Sequence, residues 1–215
     1  MSRASTISKK VVFAIAVLLQ LLSLAFMIVD RQYTLAYGEK VLLKADTMDP
    51  RSLFSGDYVS LYYDISSIDP TKVDTDLDLA TYGPGLAEGR RYSRQKEASL
   101  QKAWVTLQRT GDGEAWEAVS VTLRRPREAE GRVSIAGSMR YHNPIFDLED
   151  GWTPRHARLV FEYGIETYYI REGAGPRLEA ILRSSDAETC VEVSVDRRGK
   201  AAVRAIYVDG ERIDF

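Results

Sequence analysis

The 215-residue chain sets 29 lysines and arginines against 31 aspartates and glutamates, a formal charge of −2 that gives no reason to expect a nucleic-acid surface. Its one cysteine, Cys190, excludes an intramolecular disulfide and a cysteine-based zinc site, and reads most simply as a strand residue. With 45% hydrophobic and 28% charged residues, the chain left after an N-terminal apolar segment suffices for one globular domain or two small ones.

The first predicted element is that segment. Val11 to Val29 holds no charged residue and only Gln20 and Ser23 as polar interruptions. At about 1.5 Å per residue, such a run just crosses a hydrocarbon core of about 30 Å. Arg3, Lys9 and Lys10 precede it with no acidic residue, so the positive-inside rule puts residues 1–10 in the cytoplasm as a tail and everything beyond Asp30 outside. Phe26 to Arg31 offers no small-x-small cleavage site and Leu35-Ala36-Tyr37 is a poor one, which favours a retained anchor over a cleaved signal peptide. The organisation expected is therefore a transmembrane helix over 11–29, a spacer over 30–38 and a β-rich extracytoplasmic domain over 39–215, with a connecting segment at about 66–100. The short spacer holds the domain close to the bilayer.

Lys40 to Lys44 reads as a first strand. After the Asp49-Pro50 and Ser55-Gly56 turns comes Gly56-Asp57-Tyr58-Val59-Ser60-Leu61-Tyr62-Tyr63, whose period of two puts Val59, Leu61, Tyr63 and Ile65 on one face and Tyr58, Ser60, Tyr62 and Asp64 on the other. The stretch from Ser66 to Gly89 is rich in aspartate and in breakers and reads as a solvated connection. Asp74, Asp76 and Asp78 lack the glycine and downstream glutamate of a calcium-binding loop, so no metal is expected there.

From Lys102 the pattern is β. Ala103, Val105 and Leu107, a turn at Gly111-Asp112-Gly113, and Val119, Val121 and Leu123 make a hairpin, with Trp104 and Trp116 on the opposite face to cover a second layer or line a groove. Val133 to Tyr141 continues the sheet. His142 and His156 fall outside any short metal-ligand spacing. Leu159 to Ile170 reads as one long strand with Gly164 at a bulge; Pro176 opens a short helix with Leu178, Ile181 and Leu182 as its stripe; and Val191 to Tyr207 forms a hairpin turning at Arg197-Arg198-Gly199-Lys200. The fold class expected is a single N-terminal transmembrane helix plus a mainly antiparallel β domain, α+β in the broad sense.

Two blocks carry a resemblance. The first is Asp49-Pro50-Arg51, Leu53-Phe54 and the Gly56-to-Tyr63 string. The second runs from Phe161 to Tyr169, through Arg171-Glu172-Gly173-Ala174-Gly175, to Leu178-Glu179. Together with the apolar segment they resemble the GDYXXLXY family of bacterial membrane-anchored proteins. The resemblance implies a single-pass protein of the bacterial inner membrane with its domain periplasmic or extracellular, in the company of multi-span membrane proteins, and it carries no established activity or cofactor. The motif residues it marks as candidates for binding are Asp49, Arg51, Gly56, Asp57, Tyr58, Leu61, Tyr63, Glu166, Tyr168, Glu172, Gly173 and Glu179.

Thr47-Met48-Asp49-Pro50 ahead of Gly56-Asp57 is also similar to the nucleophile region of type I signal peptidases. That likeness implies Thr47 as nucleophile and Lys102 as base, departing from the pattern in threonine for serine, in a longer gap and in a poor lysine block. Glu162 and Glu166, joined by Asp57, Glu172 and Glu179 if the two blocks meet, form an acid/base alternative on a sugar, against the simpler role of carboxylates that cap turns and pair with arginines. The leading expectation is a non-enzymatic binding or scaffolding subunit, bound to the lipid bilayer and to a multi-span partner, with no metal or cofactor.

Overall fold

The computed structural model describes residues 8–48, 58–77, 101–109, 115–142, 145–147, 153–155, 158–171 and 188–213. The apolar run is the middle of one helix, α1 (Lys9–Tyr37), of 29 residues. Every side chain from Val11 to Val29 is exposed. A helical run that is apolar on all sides and fully exposed is ill suited to water, and by length and composition α1 can cross a membrane. It does not stop at Val29. Residues 30–38, expected as a spacer, are about two further helical turns ending at Gly38, whose N–H donates to the Thr34 carbonyl at 3.0 Å. A Cβ on Gly38 would lie 2.5 Å from that carbonyl oxygen and 3.0 Å from the Val195 nitrogen, so the tight exit into the sheet depends on glycine.

β1 (Glu39–Met48) follows at once, burying Val41, Leu43 and Ala45. β2 (Tyr58–Tyr63) keeps the alternation read from its sequence: Val59, Leu61 and Tyr63 are buried, as is Ile65 just beyond. The chain then makes a single 3-10 turn at Asp64–Ser66 and two very short strands, β3 (Ser67–Ile68) and β4 (Asp74–Thr75). The start of the connection at 66–100 is thus not merely solvated: Ile68 and Leu77 join the core, and the Asp76 carboxylate accepts the Leu123 N–H at 3.0 Å. β5 (Gln101–Arg109), β6 (Trp116–Thr122) and β7 (Arg132–His142) form the antiparallel set expected, followed by the small hairpin of β8 (Ile145–Asp147) and β9 (Thr153–Arg155).

The long strand expected at Leu159–Ile170 is two strands, β10 (Arg158–Glu162) and β11 (Thr167–Tyr169), broken at Gly164 where φ is +77°, a conformation glycine adopts without a Cβ penalty. β12 (Thr189–Val195), β13 (Ala201–Val208) and β14 (Glu211–Ile213) complete the chain as the expected hairpin and one more strand. The helix expected from Pro176 lies outside the described residues.

Two curled sheets result, in the orders β11-β2-β1-β12-β13-β14 and β3-β10-β7-β5-β6-β4, antiparallel except where β4 meets β6. Their inner faces share one core that includes Leu43, Tyr63, Val105, Ile135, Phe161, Val193 and Ile206. Two devices join the sheets. The chain crosses from the first to the second between β2 and β3, and back again between β10 and β11, at one corner. At another place β10 ends with Glu162 opposite Ser138, and the exposed edge of β7 beyond it is taken up by the β12–β13 turn, whose Gly199 carbonyl accepts the Ala136 N–H at 3.0 Å.

Candidate functional site

The corner where the chain changes sheets is built from the two motif blocks. β2 and β11 pair antiparallel with Thr167 opposite Ser60, Tyr168 opposite Val59 and Tyr169 opposite Tyr58, and the Leu61 N–H donates to the Glu166 carbonyl at 2.7 Å. Residues about a hundred positions apart in sequence therefore lie side by side. Two buried phenols then clasp the corner reciprocally: Tyr63 of the first block donates to the Ile165 carbonyl at 2.9 Å, and Tyr163 of the second donates to the Ile65 carbonyl at 2.7 Å. Each satisfies a carbonyl that the change of sheet takes out of the ladder. Burial, and then the nearby Glu166 charge, pushes both hydroxyls well above the usual tyrosine range, so they remain donors.

Packing fixes these rings. Tyr163 stacks on Phe161 with ring centres 5.7 Å apart and planes 9° apart, and a Cβ at Gly137 would lie 2.9 Å from the Tyr163 ring. The Glu166 carboxylate accepts the Tyr163 N–H and closes the bend around Gly164. Glu162, the other half of the carboxylate pair, lies across that bend at the exposed end of β10.

The outward side of the corner is different. Tyr58 and Tyr169 stand on the same face with ring centres 6.3 Å apart, and Tyr169 is 71% and Tyr62 39% exposed. Tyr168 turns inward and packs against the core. Of the sequence candidates, then, Leu61, Tyr63 and the Glu166 backbone meet in the framework, and Tyr58 is half-buried on the outward side. Tyr169 was missed; its only sequence signal is the period of two once the break at Gly164 is known. Asp49, Arg51, Gly56, Asp57, Glu172, Gly173 and Glu179 lie outside the described residues.

The remaining candidates are dispersed. Thr47 pairs with Leu61 in the first sheet, whereas Lys102 is in the second, opposite Ser138, with an exposed side chain whose ammonium stands 5.3 Å from the Trp104 ring centre. A lysine base works from a desolvated position, and this one is solvated. Trp104 is covered rather than exposed: only 8% accessible, it lies under Gly199. Trp116, expected on the face opposite the core, is instead half-buried against it together with Ala118, and also lines a cleft of about 400 Å³ beside the corner, with Lys44, Asp64, Lys72, Glu117 and Arg158 around it. Burial, reinforced by the Asp46 charge, pushes the Asp64 carboxyl up. Among the described residues no three His, Cys, Asp or Glu side chains gather as a metal-holding group.

A long, bare apolar helix carrying a domain of two curled sheets, cornered by paired motif blocks, defines the class of protein. The chain belongs to the GDYXXLXY protein family, whose model matches residues 20–206 and so takes in most of the helix, both blocks and the final hairpin. No curated protein and no solved structure matches it.

Proposed function

We propose that the protein is a non-enzymatic, membrane-tethered binding or scaffolding subunit of the bacterial envelope. Its helix spans the inner membrane with the N-terminus cytoplasmic, and its domain presents the tyrosines of the β2–β11 face to a multi-span membrane partner. The observation that carries this reading is the division of labour within the two motif blocks: Tyr63 and Tyr163 are consumed in holding the corner together, while Tyr62 and Tyr169 are left exposed, with Tyr58 half-buried beside Tyr169. Exposed tyrosines combine apolar area, a hydroxyl and little conformational entropy to lose, which suits recognition.

A photo-crosslinking residue at position 169 of the full chain, expressed at native level, tests it. The expected result is one recurrent adduct with an integral membrane protein, absent when the crosslinker stands at Lys72 and reduced at least about tenfold by Tyr58→Ala. A chain that yields no adduct and runs as a solitary monomer in mild detergent would sink the reading.

A further inference from the structure

The last two turns of α1 are fastened to the β12–β13 hairpin. Ser194 Oγ donates to the Leu35 carbonyl at 3.4 Å and Arg204 donates to the same oxygen. Nearer the hairpin tip, Thr34 Oγ1 donates to Asp196 Oδ2 at 3.1 Å; at the tip, Arg198 reaches Asp30 Oδ1 at 2.7 Å and Lys200 bonds Asp30 Oδ2. Moving along the hairpin towards its turn is thus moving back along the helix towards Val29, where the apolar run ends. The turn Arg197-Arg198-Gly199-Lys200 sits level with the first residue past that run. If α1 spans the bilayer, as proposed above, this level is that of the lipid phosphates.

The surface there is basic. Asp196 and Asp30 neutralise Arg198 and Lys200. Among the described residues Arg197, which is exposed, has no carboxylate partner, and Arg31 donates only to the Ala201 carbonyl, at 2.9 Å. The same turn covers Trp104, over whose ring stand Lys102 at 5.3 Å, without a carboxylate partner among the described residues, and Arg125 at 5.8 Å, which pairs with Glu128. Tyr33, under Arg198, and Tyr37 add exposed phenols in the last turns of the helix, the residue type favoured at a membrane interface.

We infer that this collar, with Arg31, Lys102 and Arg197 as its uncompensated cations, is a docking surface for the phosphates of anionic phospholipids in the leaflet that the domain faces. It fixes the orientation of the domain on the membrane as well as its distance. A free anionic membrane surface attracts such cations within roughly a Debye length, about 8 Å at physiological salt.

Full-chain protein in detergent, titrated separately with phosphatidylglycerol and phosphatidylcholine and read by native mass spectrometry, tests the inference. The expected result is phosphatidylglycerol bound at least about tenfold more tightly, the preference lost in 0.5 M salt and in the combined variant Arg31→Gln, Lys102→Gln, Arg197→Gln, but kept in Lys72→Gln. Retention of the β circular-dichroism signal shows that the combined variant is folded; should it not fold, Arg197→Gln alone, on an exposed turn, is expected to lower the preference about fivefold. Equal binding of the two lipids by the unmutated chain overturns the inference, as does a preference unchanged by either variant, or one that inorganic phosphate abolishes. Alkaline extraction of the unmutated chain from membranes distinguishes the failures: a chain that is released sinks the anchor itself, whereas one that stays embedded without lipid preference sinks only the collar.

Discussion

Tyr63 and Tyr163 act through one atom each. A tyrosine ring fills the core as a phenylalanine would, but the hydroxyl reaches a carbonyl that the bend has removed from the ladder, and a buried carbonyl left without a donor is costly. Tyr63→Phe and Tyr163→Phe are each expected to destabilise the domain by about 1–3 kcal/mol in urea unfolding followed by circular dichroism, with packing otherwise kept. A loss below about 0.5 kcal/mol for both would mean that water or a neighbouring group serves these carbonyls as well. Gly164 and Gly199 show two different needs for glycine. A Cβ added at Gly164 would meet nothing within 4 Å, so glycine is required there for its φ of +77° alone, whereas Gly199 has both a φ of +78° and Trp104 at 2.3 Å from an added Cβ.

At the scale of elements, the helix and the β12–β13 hairpin behave as one unit, and Asp196 is its pin. Burial works to raise the Asp196 carboxyl, but hydrogen bonds from the Arg198 side chain, the Lys200 and Arg198 backbone and Thr34 outweigh it and hold the group below its ordinary value of 3.8. A carboxyl depressed in the folded state stabilises it above the unfolded value, and that contribution is lost as pH falls through the folded one. The junction is therefore expected to hold at neutral pH and to loosen below about pH 4, seen as faster hydrogen exchange at residues 34–38 after correction for intrinsic rates. Asp196→Asn should show the faster exchange already at pH 7. Protection that is the same at pH 6 and pH 3 would remove Asp196 from this role.

At the scale of the whole molecule, a 29-residue helix with an apolar middle over Val11–Val29 and a well-packed β domain suit different media, and in the arrangement proposed above their junction lies at a water–lipid boundary. Protease added to intact spheroplasts is expected to remove the domain and leave a fragment about the size of α1 in the membrane. Full protection of the domain would overturn the orientation proposed from Arg3, Lys9 and Lys10.

The amino-acid sequence by itself determined whatever depends on neighbours in the chain. The apolar run of Val11–Val29, the alternation of β2, β5 and β7, the turn at Arg197–Lys200 and the two motif blocks could all be read from it, because periodicity and turn chemistry are local, whereas the alternation expected in β13 slips at a bulge that turns Ile206 into the core. Only the tertiary structure decided what depends on partners far away. Asp30 to Tyr37 are polar enough to pass for a spacer, and their helix is held by side chains some 160 to 170 residues on. Trp104 reads as an exposed-face aromatic until Gly199 covers it. Gly164 reads as a bulge within one strand until the clasps of Tyr63 and Tyr163 show that the chain changes sheet there. Contacts between distant segments form where three-dimensional packing rewards them, and no window along the chain contains both partners.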